Sequence, residues 1–105
     1  MKPQDLAQNV IEKFGTNDVF EIALKAGAKI VYEDWHPTTI GEFDKNTKTI
    51  CVNQRALKNS KNADELEKII IAHELGHFFV GEFGIKILNE EAFAREFAEE
   101  LTSKK

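Results

Sequence analysis

Between Asp64 and Val80 the chain reads DELEKIIIAHELGHFFV, and this segment constrains the fold more than any other. Leu66, Ile69, Ile70, His73, His77 and Val80 recur at steps of three and four, the period of one α-helical face. Ile71, Leu75, Phe78 and Phe79 fill much of the opposite side. A helix that is apolar nearly all round is a central one, and other elements must wrap it. The spacing predicts a helix from Asp64 to about Val80, started by Asp64 or Asn62 and punctuated by Gly81 and Gly84. Gly76 lies in its interior at a cost of about 1 kcal/mol relative to Ala. Such a glycine implies that another backbone or a substrate comes close.

The wrapping elements are legible on either side. Leu6, Val10, Ile11 and Phe14 have helical spacing from Pro3 to Phe14, and Gly15 ends the run. Asn17 is placed to cap a short helix carrying Phe20, Ala23 and Leu24, stopped at Gly27. AKIVYEDW reads as a strand broken by Pro37. TIGEFD and KTICVN flank Lys45-Asn46-Thr47 and read as a β-hairpin. NQRALKNSKNA is polar and loop-like, and its small basic cluster of Arg55, Lys58 and Lys61 reads as a solvated loop. LNEEAFAREFAEEL is a final helix. The expected fold class is α+β: N-terminal helices, a small antiparallel sheet, the central helix and a C-terminal helix. At 105 residues, positions 1–105 have room for one core and one domain.

Composition excludes several functions. A net charge of -4 gives no overall basic field, so direct nucleic-acid binding is not expected. No stretch approaches the roughly 18 apolar residues of a membrane span, and the N-terminus lacks the apolar core of a secretory signal. The single cysteine, Cys51, cannot form an internal disulfide, and in a strand it reads as a buried, inert thiol. A cytoplasmic location is the expectation.

Two histidines at i and i+4 on an inward face need buried partners. That spacing lets both imidazoles of His73 and His77 close on one ion. Zinc takes histidine nitrogen at about 2.0–2.1 Å and, in catalytic sites, three protein ligands and a water whose pKa falls to about 7. Glu74 follows His73 by one residue and points to the side of the pair, where it would take the proton of that water and pass it to a leaving amine.

A third ligand must come from elsewhere. Ile87, Glu91, Ala94, Phe97, Ala98 and Leu101 share a face of the last helix, with Glu90 at its edge. A glutamate on an apolar face needs a reason, and a cation is one. Glu90 is the alternative, and Glu82 ranks last because it needs the central helix to run past Gly81. His36, the only other histidine, reads as a loop residue near the cleft mouth.

AHELGH followed by E-x-x-A-x-x-F-A-x-x-L, here Glu91, Ala94, Phe97, Ala98 and Leu101, resembles the ImmA/IrrE metallopeptidases. GEFD and KTICVN resemble that family's hairpin before the active-site helix. The resemblance covers roughly Ile40 to Leu101 and is far more specific than H-E-x-x-H alone. It implies a minimal zincin-like domain with Zn2+ held by His73, His77 and Glu91, and with Glu74 as general base. It also implies a protein substrate, a helix-turn-helix repressor of a phage, mobile element or stress regulon. Three departures stand out: a short His77-to-Glu91 connection, Phe93 where many members have another acid, and little chain beyond Leu101.

The expected activity is that of a zinc endopeptidase. Its substrate would lie along an edge strand, expected to be KTICVN, by β-augmentation. Tyr32 and His36 are the candidates for stabilising an oxyanion. The rival is a non-catalytic zinc-binding interaction module, such as an antirepressor or a toxin-system component.

Overall fold

Short polar and glycine signals set the ends of the first helices. The computed structural model describes residues 1–35 and 39–103. Helix α1 spans Pro3–Phe14 and α2 spans Val19–Ala26. Gly15 and Gly27 close them with φ of 70° and 86°, a left-handed conformation that favours glycine. The cap of α2 is Asp18 and not Asn17. Its carboxylate accepts the backbone N–H of Phe20 at 2.9 Å and of Glu21 at 3.4 Å, and its charge also suits the positive end of the helix dipole.

Three strands follow: β1 (Lys29–Glu33), β2 (Gly41–Asp44) and β3 (Thr49–Asn53). The expected hairpin of β2 and β3 is present and antiparallel. Asp44 helps turn it by accepting the N–H of Asn46 at 2.9 Å. The sheet as a whole is not antiparallel, however. Its order is β1-β3-β2, and β1 pairs with β3 in parallel. The physical reason is the connection from β1 to β2. Residues 34–40 are too many for a two-residue turn and long enough to skip one strand position, about 10 Å across the sheet. The tightly linked β3 then fills the gap. Because β3 is paired on both sides, KTICVN is the central strand and not the edge expected for substrate.

The segment expected to be a loop contains a five-residue helix, α3 (Gln54–Lys58). Buried Asn53 caps it, accepting the Arg55 N–H at 3.0 Å and donating to the Thr39 carbonyl at 3.0 Å. Arg55 pairs with Asp34 at 3.4 Å.

Helix α4 runs Ala63–Glu82 and α5 runs Glu90–Ser103. Asp64 and Glu65 lie in the first turn of α4, where negative charge favours the helix. As its all-round apolar pattern demands, α4 is packed between β2 and β3 on one side and α2 and α5 on the other. Ile70, Ile71, Leu75, Phe78 and Phe79 are essentially fully buried. Ile69, placed on the inward stripe by spacing alone, is instead 42% exposed. Phe79 is the centre of an aromatic cluster with Phe14, Phe78, Phe83 and Phe97. The fold is α+β, with five helices and a three-stranded mixed sheet among the described residues. No helix among them is long and apolar enough to cross a membrane. The expected break at Pro37 lies outside the described residues.

Candidate metal centre

His73 and His77 stand on successive turns of α4 with ring centroids 5.2 Å apart. They reach the same neighbour. His73 Nε2 lies 2.6 Å from Glu91 Oε1, and His77 Nε2 lies 3.0 Å from Glu91 Oε2. One donor atom from each of the three residues falls within 4.8 Å of the others. Two imidazoles and a carboxylate at that spacing suit a divalent ion such as zinc, which binds such donors at about 2.0–2.2 Å. The His73, His77 and Glu91 group can therefore hold a metal ion.

Glu90 answers a different need. Its Oε2 lies 2.5 Å from His77 Nδ1, the ring nitrogen that does not face the three-residue cluster. With Glu90 as the accepting carboxylate, Nδ1 would carry the proton and Nε2, which faces Glu91, would be the nitrogen left to coordinate. Adjacent helical residues diverge by about 100°, which lets Glu91 and Glu90 approach His77 from two sides. Treating the two glutamates as competing ligands missed this division.

The local backbone explains how α5 arrives there. A Cβ on Gly76 would lie 2.9 Å from Ala94 Cα and 3.0 Å from Ala94 Cβ. The close neighbour expected at Gly76 is thus the backbone of α5, one turn beyond Glu91. The short connection is made by Gly84, which adopts φ of 63° just past the helix end, while Gly81 remains within α4. Asn89 then accepts the Ala92 N–H at 3.1 Å and starts α5. Phe93, where an acid is usual in the family resembled, is buried in the core.

Glu74 is 7% exposed and lies on the β2 side of the histidines. A Cβ on Gly41 would meet Ile70 Cγ2 at 2.5 Å and Glu74 Oε2 at 3.2 Å, so glycine lets β2 lie against α4 here. Burial pushes the Glu74 carboxyl up from its ordinary range; His73 and His77 oppose the shift, and Glu91 and Glu42 reinforce it. For Glu91, burial alone would raise the carboxyl. Hydrogen bonding to His73, with the charges of both histidines, outweighs it and leaves Glu91 lowered. The two carboxyls are thus set apart, one towards proton uptake and the other towards a standing negative charge.

An open cleft of about 940 Å³ lies over the cluster, between β2 and the facing ends of α4 and α5. Cys51 also lines it and is only half-buried, which corrects the expectation of a buried residue. Its thiol is pushed up by burial and then by Glu33, Glu42, Asp44 and Glu74, all of which disfavour a thiolate.

The remaining candidates are elsewhere. The Tyr32 hydroxyl donates to Glu67, and Tyr32 is not among the residues lining the cleft. Glu82 does lie in α4, but it pairs with Lys48 at 3.0 Å and takes no part in the cluster. His36 lies outside the described residues. Comparison with known protein families, curated proteins and solved structures returned no match.

Proposed function

We propose that the chain is a zinc-dependent endopeptidase of the ImmA/IrrE type. Its substrate would be a helix-turn-helix repressor of a phage, mobile element or stress regulon. The observation that carries this reading is the convergence of His73, His77 and Glu91 at one cleft, beside a buried glutamate. When bound, zinc would supply Lewis acidity that acidifies a water and polarises the scissile carbonyl. The chain's own residues do the rest. Glu74, biased towards proton uptake, accepts a proton from the attacking water and delivers it to the leaving amine. The water oxygen would add to the carbonyl carbon first, and the C–N bond would then break as the nitrogen takes the proton from Glu74. Glu91 remains a carboxylate, and Glu90 fixes the His77 ring.

The substrate backbone would pair with β2, which of the two edge strands is the one that lines the cleft. Asn53 N–H donates to the Ile40 carbonyl at 3.0 Å. By antiparallel alternation, Glu42 and Asp44 also turn their main-chain groups to β3. The N–H and C=O groups of Gly41 and Phe43 therefore face the free side, ready for an extended segment.

The test pairs zinc content with cleavage. Wild type should hold about one zinc per chain and cut an unfolded protein or peptide mixture, with fragments read by mass spectrometry. Glu74→Gln should keep the zinc and lose at least about 10²-fold in rate. A Gln variant as fast as wild type would refute the role of Glu74. Zinc binding with no cleavage in wild type would leave a binding module in place of an enzyme.

A further inference from the structure

The cleft carries more negative charge than holding a metal requires. Side chains alternate along β2. Phe43 faces α4, where its ring meets Phe78 edge-on at 5.6 Å, and Gly41 abuts Ile70. Glu42 and Asp44 therefore stand on the other face of the strand, and both are exposed and line the cleft. Among the described residues neither forms an ion pair. Lys45 is the one lysine or arginine among the residues lining the cleft, beside His77 and against Glu42, Asp44, Glu74, Glu90 and Glu91. Glu74, Glu90 and Glu91 are engaged with the histidines and the metal site. Glu42 and Asp44 are not, and they flank the free main-chain groups of Phe43.

We infer that the cleft selects an extended segment with basic side chains at alternate positions, lysine or arginine placed opposite Glu42 and Asp44. The inference rests on reading the cleft as a substrate site. A strand added to the edge of β2 shares its pleat, so its residues i and i+2 lie on the same face as the two carboxylates. Directly opposed side chains are about 4.5–5.5 Å apart at Cβ, close enough for opposite charges to pair and for like charges to repel. The intervening residue points to the α4 side, towards Glu74. A repressor that neutralises DNA phosphates must itself carry lysines and arginines, so such a segment is available in the class of substrate proposed. The competing explanation is that Glu42 and Asp44 only keep the edge from pairing with another copy of the chain. In that case the charge of a bound peptide would not matter.

Binding is best measured apart from cleavage, on the zinc-loaded Glu74→Gln chain. Three fluorescently labelled peptides, identical except for Lys-x-Lys, Gln-x-Gln or Glu-x-Glu at their centre, would be compared by anisotropy. The lysine peptide should bind about tenfold tighter than the glutamine peptide at low salt, and added salt should shrink that advantage. Glu42→Lys with Asp44→Lys should reverse the preference, favouring Glu-x-Glu. Glu42→Gln with Asp44→Gln, a milder change, should abolish it, with circular dichroism confirming the fold of both. Equal binding of the three peptides, a preference that survives both double variants, or no binding of any peptide would overturn the inference. Cleavage by wild type reports separately on the enzyme: a lysine peptide that is bound with the stated preference but never cut would sink the peptidase reading and leave this one standing.

Discussion

Adding one methyl group at Gly76 should separate Glu91 from the two histidines. In Gly76→Ala the new Cβ would lie 2.9 Å from Ala94 Cα, 3.0 Å from Ala94 Cβ and 3.2 Å from Phe97 Cδ2, where ordinary contact begins at 3.4 Å. The first two atoms belong to the α5 backbone and its nearest carbon, so no rotamer change relieves them. Helices α4 and α5 must part by roughly 0.5 Å, the difference between 3.4 and 2.9 Å. Overpacking of this kind costs about 1–3 kcal/mol, and alanine returns about 1 kcal/mol in helix propensity. The net loss is about 1 kcal/mol, or a Tm about 4–8 °C lower, measured on metal-free protein so that bound zinc does not add stability. The effect on metal should be larger. Glu91 is one turn from Ala94 and moves with it, and an altered ligand or its support typically loses about 10–100-fold in affinity. Competition with a chromophoric zinc chelator reads that loss directly. A Gly76→Ala chain that melts higher than wild type and binds zinc equally well would refute the claim that this close approach positions Glu91.

Three further outcomes follow from named contacts. Glu91→Ala should lose stoichiometric zinc, whereas Glu90→Ala should keep it with about 10–100-fold weaker affinity, since Glu90 bonds His77 Nδ1 and lies outside the three-donor group; equal losses would contradict the division of roles. Tyr32, the only tyrosine, is pushed up to about 12 by burial and then by its hydrogen bond to Glu67 and that residue's charge. Its folded value lies above the ordinary value of 10.0, so the stability it contributes is complete below pH 10 and is lost as pH rises through 12; a phenolate absorbance midpoint near 10 in the folded protein would refute this. Asn53→Ala should cost about 2–4 kcal/mol in a denaturant titration, because it removes the α3 cap and leaves the Arg55 N–H and Thr39 carbonyl without their side-chain partner; a loss below about 0.5 kcal/mol would show that water or backbone replaces it.

The central helix was legible because a period of 3.6 residues and a full apolar surround leave little choice of structure. The histidine spacing carried its own geometry, and Glu91 was found by asking why a carboxylate should share a face with Ala94 and Phe97. What could not be read was any fact about non-local pairing. Alternation marks KIVYE, GEFD and TICVN as strands, but nothing in a strand names its partner. The hairpin was recoverable because only four residues, Lys45 to Lys48, join its arms, whereas β1 pairs with β3 across the whole β2 segment. From that one error came the misplaced edge. Helix α3 was missed because five residues are too few to show a period, and its cap belongs to the preceding strand.

Gly76 and Gly41 show how far such reasoning can be carried. Each is a point where α4 is approached by backbone, by α5 on one side and by β2 on the other. The first approach delivers Glu91 to the histidines, and the second sets the free strand edge beside Glu74. Neither can be replaced by a longer side chain acting across a gap, because a Cβ at either position would meet an atom at under 3.0 Å. The spacing of Glu91, Glu74 and the strand edge is thus set by the α5 backbone lying on Gly76 and by the β2 backbone at Gly41 lying on the Ile70 and Glu74 side chains. That places the precision of the site in two small residues that touch no metal and perform no chemistry. It also explains why the apolar surface of α4 extends past the histidines on both sides: the packing that holds these backbones together is the packing that forms the core.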